Sequence, residues 1–282
     1  MDYISYSKKI DNSEVRFYFD SALKKVTENI KKRNNSEELY YWANNLFQKF
    51  KIQFYSIMKL TYEKTYDLEN KYEYFDIVSI STLIRGCYET FLIFEYIYIQ
   101  SNNIDEINMK LLFYKLNGYK DQASIVLKNT EDYKTVNEKI KNTKEKIYKN
   151  NIFKQFNEEY QKKLFESWKP SWNEIAKKIR ISDCNERLSD WNSRKQYNLL
   201  CQHSHGSFAS LLLIDYYYKN LDKYDFDAIN CQLYQTTTLF INDILRLFKL
   251  NIEIFEKEEI GLMQEFLYMS TLGQKSLQDS FT

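Results

Sequence analysis

Glycine and proline are scarce in this sequence: its 282 residues include five glycines and one proline. Many-stranded sandwiches, barrels and Rossmann-type sheets need these residues at their turns, so their scarcity argues against an all-β fold and a long flexible linker. Hydrophobic residues make up 44% of the chain and charged residues 28%, which is typical of a protein with a packed core. The composition therefore predicts an all-α fold.

An excess of one charge is also lacking, because 40 Lys and Arg residues face 39 Asp and Glu residues. The chain as a whole therefore gives no signal for binding a polyanion. Its middle, 120–187, is lysine-rich, with 16 basic and 11 acidic side chains. We interpret this stretch as a solvated helical insertion. A nucleic-acid-binding face is the alternative, but the stretch has no arginine cluster and no interleaved aromatic platform.

Motifs for cofactors and metals are absent. The sequence contains no glycine-rich phosphate-binding loop, no G-x-S-x-G turn and no C-x-x-C pair, and His203 and His205 are its only histidines. We therefore expect no cofactor and no metal. The four cysteines lie far apart, as is typical of reduced thiols in a cytoplasmic protein. They are Cys87, Cys184, Cys201 and Cys231.

A secretory signal and a membrane span are not expected. The N-terminus is polar and has no apolar core of the signal-peptide kind. The most apolar stretch runs from Phe75 to Ile99, and four charged residues interrupt it: Asp76, Arg85, Glu89 and Glu95. Such charges are costly in a bilayer, so we interpret the stretch as a buried helix of a cytoplasmic protein.

Hydrophobic periodicity predicts helices along most of the chain. Their approximate ranges are 13–32, 37–64, 74–99, 104–128, 132–149, 152–168, 193–220, 226–250 and 253–269. We expect a single elongated helical-bundle domain over 1–270. Its core spans about 13–105 and 190–268, and the lysine-rich helical insertion spans about 106–190. The polar tail 271–282 is expected to fray.

The first of two polar constellations lies inside the most apolar helix. Arg85 and Glu89 are four residues apart, so they share one face of that helix. Among apolar neighbours the pair is expected to be wholly or partly buried, where an uncompensated charge costs several kcal/mol. By itself such a pair is most often a structural device that fixes helix register.

The second constellation is a stripe of residues spaced by four: Tyr197, Cys201 and His205. Phe208 and Leu212 are predicted to continue this stripe into the core. Considered without the first constellation, His205 is interpreted as a core histidine that is hydrogen-bonded to a neighbour.

Two glycines connect these constellations in our interpretation. Gly86 and Gly206 are predicted to lie inside helices, where glycine costs about 1 kcal/mol relative to alanine but allows close approach. We infer that the two helices cross there and bring together four candidate catalytic residues: Arg85, Glu89, Tyr197 and His205. A cation, a carboxylate, a phenol and an imidazole can serve proton transfer and oxyanion neutralisation. A satisfied buried network is the equal alternative.

At these residues the chain resembles a bacterial all-helical family, a domain of unknown function. That family pairs an R-x-x-x-E helix with a later Y-x-x-[LS]-S-x-x-x-H-x-S helix. The counterparts here are Arg85 and Glu89, then Tyr197, Cys201, His205 and Ser207. Cys201 stands where the family usually has serine.

The family is in turn distantly similar to HEPN-type helical proteins, many of which are metal-independent ribonucleases in toxin and phage-defence systems. Their R-x4–6-H motif is not reproduced, because Arg194 precedes His203 and His205 by longer intervals. The resemblance implies a ribonuclease-type effector with RNA as substrate. The alternative is a non-catalytic module that binds a partner protein or forms a homodimer, with the polar cluster as a structural network.

Overall fold

The computed structural model describes residues 12–33, 37–62, 65–67, 72–74, 76–168, 175, 197–198, 200–201, 208–219 and 226–266. Within this part the chain is all-α except for one short hairpin, which confirms the predicted fold class. The elements of the first half are α1 (Asn12–Lys32), α2 (Glu38–Tyr62), β1 (Thr65–Asp67), β2 (Tyr72–Tyr74) and α3 (Ile77–Phe94). A π-helical turn, Glu95–Ile99, follows α3. The later helices are α4 (Ile104–Ile125), α5 (Glu131–Lys149), α6 (Asn151–Lys154), α7 (Glu158–Ser167), α8 (Phe208–Lys219) and α9 (Phe226–Leu247). A 3₁₀ turn at Ile252–Ile254 precedes a helical segment at 257–266.

The chain divides into two compact units. The first consists of Met1–Leu92 and Trp172–Thr282, and the second of Ile93–Ser171. The second unit contains α4 to α7, which belong to the predicted insertion at 106–190, but it begins earlier, at Ile93. The single-domain organisation stays a prediction, and the tail 271–282 lies outside the described residues.

The core of the first unit is rich in aromatic rings contributed by α1, α2, α3 and α9. The rings of Phe19 and Tyr234 stack with centroids 5.0 Å apart. Phe240 of α9 meets Phe50 edge-on at 4.8 Å and lies 5.8 Å from Phe91. The apolar stripes that predicted α1 and α2 are buried throughout, because a period of 3.6 residues places them on one face. They are Val15, Phe19, Ala22, Leu23, Val26 and Ile30 on α1, then Leu39, Ala43, Leu46, Phe50, Phe54, Ile57 and Met58 on α2.

The start of α3 differs from the prediction. The helix was expected to begin near Tyr74, but Tyr72–Tyr74 forms a strand that pairs antiparallel with Thr65–Asp67. The helix begins at Ile77, because the Asp76 side chain accepts a hydrogen bond from the backbone N–H of Ser79 at 3.0 Å. Tyrosine and threonine favour β-strands, so the residues before the Asp76 cap form a strand and those after it form the helix.

One stretch of the described residues, Ile77–Ile99, is long and apolar enough by composition to cross a membrane. Of that stretch, 61% is buried within the protein. Such burial is typical of a core helix in a soluble protein.

The second unit has a separate core around the α4 and α5 pair. Its buried members are Met109, Phe113, Leu116, Ile147, Phe153 and Trp168. The prediction of a single helix at 152–168 is wrong, because the structure has two helices there, α6 and α7. Asn150 and Asn157 cap the two helices with their side-chain oxygens, and a local cap of this kind ends one helix and starts the next.

Candidate functional site

The Arg85 and Glu89 side chains form an ion pair on one face of α3. Arg85 Nε donates a hydrogen bond to Glu89 Oε1 at 2.9 Å. The two side chains are 22% and 30% exposed, so the pair is half-buried, as the apolar sequence around it indicated. Side chains four residues apart on one helix are neighbours, so this contact is local to α3.

Tyr197 joins this pair from a segment more than a hundred residues later in the chain. Its hydroxyl donates to the same Glu89 Oε1 at 2.8 Å. Arg85 Cζ lies 5.6 Å from the centroid of the Tyr197 ring, a cation–π distance. Tyr88 adds a second ring contact, with its centroid 6.1 Å from that of Tyr197. The structure thus brings together three of the four residues predicted for the site.

The electrostatics of the cluster fix the protonation of two of its members. Burial, followed by the hydrogen bond to and the charge of Glu89, raises the pKa of Tyr197 well above its usual range. Burial alone would lower the pKa of Arg85, but the hydrogen bond and charge of Glu89 outweigh it and raise that pKa. At neutral pH the cluster therefore holds a guanidinium cation and a phenol that donates.

Part of the cluster makes no hydrogen bond to any other described residue. Arg85 uses only Nε, and Glu89 uses only Oε1, in the hydrogen bonds formed within the described part of the chain. Among the described residues, therefore, the two terminal nitrogens of Arg85 and Oε2 of Glu89 have no hydrogen-bond partner, and both side chains are partly exposed. A guanidinium with two unengaged nitrogens matches the oxygens of a phosphate or carboxylate.

Gly86 permits a close approach of α2. A Cβ atom at Gly86 would lie 2.6 Å from Nε2 of Gln53, which belongs to α2. Oε1 of Gln53 in turn accepts a hydrogen bond from Thr90 Oγ1 at 3.3 Å. The glycine therefore accommodates the α2–α3 contact, whereas Gly206 lies outside the described residues. Among the described residues, the contacts between α3 and Tyr197 are made by side chains.

His205, the fourth predicted site residue, lies outside the described residues, as do His203 and Ser207. Its role stays a prediction. The expected continuation of its stripe into the core is wrong, because Phe208 is 74% exposed and Leu212 is 54% exposed. A spacing of four residues shows which side chains share a face, but it does not show what covers that face.

The metal and cysteine chemistry of the described residues is simple. No group of three His, Cys, Asp or Glu side chains that could hold a metal ion occurs in this part of the chain. Cys87 and Cys201 are free thiols. Burial strongly raises the pKa of Cys87, so this thiol stays protonated and unreactive. Cys201 lies one turn from Tyr197 and helps to raise the pKa of that phenol.

Sequence reasoning missed two contributors to the site. Tyr88 packs on Tyr197, and Gln53 fills the space that Gly86 leaves open. Tyr88 is next to Glu89 in the sequence, so the sequence could have indicated that Tyr88 lies near the site. Nothing in the sequence indicated Gln53, because its contact depends on how α2 packs against α3.

Comparisons with known proteins assign no family to this arrangement. No family model matches the chain, no curated protein is detectably similar, and no solved structure matches the fold. The resemblance to a bacterial helical family and to HEPN-type proteins therefore stays an expectation drawn from the motifs.

Proposed function

We propose that the chain is a metal-independent ribonuclease-type effector, acting in phage defence or in a toxin system, with its site at the Arg85–Glu89–Tyr197 cluster. One observation carries the proposal. Residues far apart in the sequence converge on one partly exposed carboxylate, and no described residue engages the terminal nitrogens of Arg85. A cation held in this way supplies the charge that an RNA phosphate requires.

The chemistry of RNA cleavage needs few groups. A base removes the proton of a ribose 2′-hydroxyl, and the 2′-oxygen forms a bond to the adjacent phosphorus. The bond from phosphorus to the 5′-oxygen breaks, and that oxygen takes up a proton. The products are a 2′,3′-cyclic phosphate and a 5′-hydroxyl, so the reaction consumes no cofactor.

The proposed roles follow from the chemistry of each side chain. Arg85 binds the phosphate that becomes more negative in the transition state, and Tyr197 donates a hydrogen bond beside it. Glu89 orients both, since it accepts a hydrogen bond from each. His205 transfers the protons, because an imidazole has an unperturbed pKa of about 6.5 and changes charge near neutral pH.

The test is to incubate the purified protein with total RNA in the presence of EDTA. We expect the wild type to cleave, His205→Ala to lose cleavage with its circular dichroism unchanged, and His203→Ala, the matched control, to remain active. Tyr197→Phe should weaken cleavage, because it removes the hydroxyl and keeps the ring. Absence of cleavage in the wild type, or unchanged cleavage in His205→Ala, would end the proposal.

A non-catalytic interaction module is the second candidate, and the surface of α8 favours it. Phe208, Leu211 and Leu212 are 74%, 59% and 54% exposed and lie on neighbouring positions of one helix face. Contiguous apolar surface of this kind is typical of interaction sites. If the wild type forms an oligomer in light scattering, Leu211→Ser should reduce its mass, while Ile52→Ser, at another exposed position, should not.

A further inference from the structure

A groove in the second unit lies between α5 and α7, and we name it the α5–α7 groove. Its volume is about 330 Å³. Lys144 and Tyr148 line it from α5, while Lys162 and Phe165 line it from α7. Because the groove is formed within one compact unit, its shape does not depend on the Arg85 cluster.

Tyr148 presents a rigid aromatic ring to this groove. The side chain is 55% exposed, although it packs against two other rings. The ring centroid of Tyr148 lies 5.2 Å from that of Phe165 and 5.7 Å from that of Phe153, which is itself 1% exposed. A ring that is held by neighbouring rings and is also exposed to solvent loses little conformational entropy when another ring stacks on it.

Lys144 supplies a positive charge at the groove. It lines the groove one turn before Tyr148 on α5. Within the described part of the chain, Lys144 forms no ion pair with a carboxylate. Its ammonium group can therefore pair with an anion that enters the groove.

The other polar groups of the groove are acceptors. Gln161 uses its amide nitrogen to donate to the carbonyls of Phe153 and Phe156, which leaves its amide oxygen as an acceptor. Glu158 and Glu166 also line the groove, and Glu166 is 3.9 Å from Lys162 in a highly exposed pair. Acceptors bind the exocyclic amino groups of adenine, cytosine and guanine, and the carboxylates disfavour a duplex with its denser phosphates.

We propose that the α5–α7 groove binds one nucleotide of single-stranded RNA, with its base stacked on Tyr148 and its phosphate at Lys144. The inference rests on the proposed function for the choice of RNA as the ligand. It adds a binding subsite in the second unit to a cleavage site in the first. Stacking on an aromatic side chain tolerates any base, so this subsite would hold RNA with little sequence preference.

The test measures binding of a fluorescently labelled, single-stranded 2′-O-methyl RNA decamer, which cannot be cleaved because its 2′-oxygen is blocked. Tyr148→Leu should weaken binding about 5- to 150-fold, and Tyr148→Phe should bind like the wild type. Tyr160→Leu is the matched control, since Tyr160 is 45% exposed in the same unit and does not line the groove.

The phosphate contact has its own readout. Lys144→Gln should reduce the slope of log affinity against log salt concentration by about 0.7. Lys146→Gln changes the same charge about 200° around the same helix and should leave the slope near that of the wild type. Equal slopes for the two variants would overturn the phosphate contact.

The outcomes separate this inference from the proposed function. Cleavage by the wild type, with equal decamer binding by Tyr148→Leu and Tyr148→Phe, overturns the groove and keeps the nuclease. Binding that requires the Tyr148 ring, with no cleavage by the wild type, keeps the groove and overturns the nuclease. Absence of decamer binding by the wild type, or displacement of the decamer by a mixed-charge peptide at equal concentration, also overturns the groove.

Discussion

Glu259 and Glu89 each connect distant segments of the first unit, but they do so in opposite surroundings. Glu259, in the helical segment 257–266, is 2% exposed. It accepts from Lys25 Nζ of α1 at 2.9 Å and from the backbone N–H of Glu256 at 2.7 Å. Glu89 is 30% exposed and accepts from Arg85 and from Tyr197.

The difference between the two carboxylates separates a structural contact from a candidate site. Glu259 is buried, and its two partners dock the 257–266 helix on α1 and close the first turn of that helix. Glu89 instead holds a cation whose terminal nitrogens remain unengaged in the described part of the chain. The Arg85 side chain is 22% exposed to solvent, whereas the Glu259 side chain is 2% exposed.

The largest expected effect is the loss of the buried carboxylate. Glu259→Ala removes two hydrogen bonds at a buried position and leaves Lys25 with only Glu256, which is 74% exposed. We expect the free energy of unfolding to fall by about 2–3 kcal/mol, measured by urea denaturation. Glu258→Ala, at the exposed neighbouring position, is the control and should cost less than about 0.5 kcal/mol. Similar losses for both variants would contradict the structural role of Glu259.

The next effect concerns the half-buried pair. Arg85→Ala should cost about 1–2 kcal/mol, because Glu89 keeps only the hydrogen bond from Tyr197. The double variant Arg85→Ala/Glu89→Ala should cost less than Arg85→Ala alone, since no carboxylate is then left uncompensated. Urea denaturation of the single and double variants measures this difference.

The exposed pair Lys219 and Asp215 provides the matched double-mutant cycle for that prediction. It has the same four-residue spacing, its side chains are 70% and 58% exposed, and its coupling should stay below about 0.5 kcal/mol. If Arg85→Ala and its double variant both unfold like the wild type, the Arg85–Glu89 pair contributes nothing to stability.

The smallest effect is a pH dependence at Tyr197. Its pKa is raised in the folded protein above the ordinary value of 10.0, so the unfolded chain loses this proton first as the pH rises. The stability that Tyr197 contributes is therefore complete below its unfolded pKa and is lost as the pH rises towards its folded pKa. Between about pH 8 and pH 10.5 the difference in unfolding free energy between wild type and Tyr197→Phe should shrink by less than about 1 kcal/mol. A difference that grows with pH would contradict the hydrogen bond to Glu89.

The fold was largely predictable, because helix formation depends on local periodicity. The bounds of α1 and α2 agree with the predicted ranges to within about two residues. The errors fall at caps: Asp76 begins α3 after an unexpected hairpin, and Asn157 divides the helix predicted at 152–168. A single side-chain hydrogen bond to the backbone decides such a boundary, and hydrophobic periodicity does not report it.

The candidate site was partly predictable. The Arg85–Glu89 pair follows from spacing alone, because residues four apart on a helix are neighbours. We predicted the contact with Tyr197 from a crossing of two helices at Gly86 and Gly206. In the structure, Gly86 makes room for Gln53 of α2. The exposed positions of Phe208 and Leu212 were not foreseen, since periodicity does not reveal which element covers a face.

By itself, then, the sequence determined the helices, their buried stripes and the ion pairs within a helix, because these depend on neighbours within about four residues. Only the tertiary structure decided which carboxylate is buried and which is open. Glu89 and Glu259 are both glutamates inside helical segments, and nothing local distinguishes them. The burial of Glu259 depends on α1, which supplies Lys25, and the open side of Arg85 depends on where Tyr197 lies. Those contacts span more than a hundred residues, so they arise only when the chain packs.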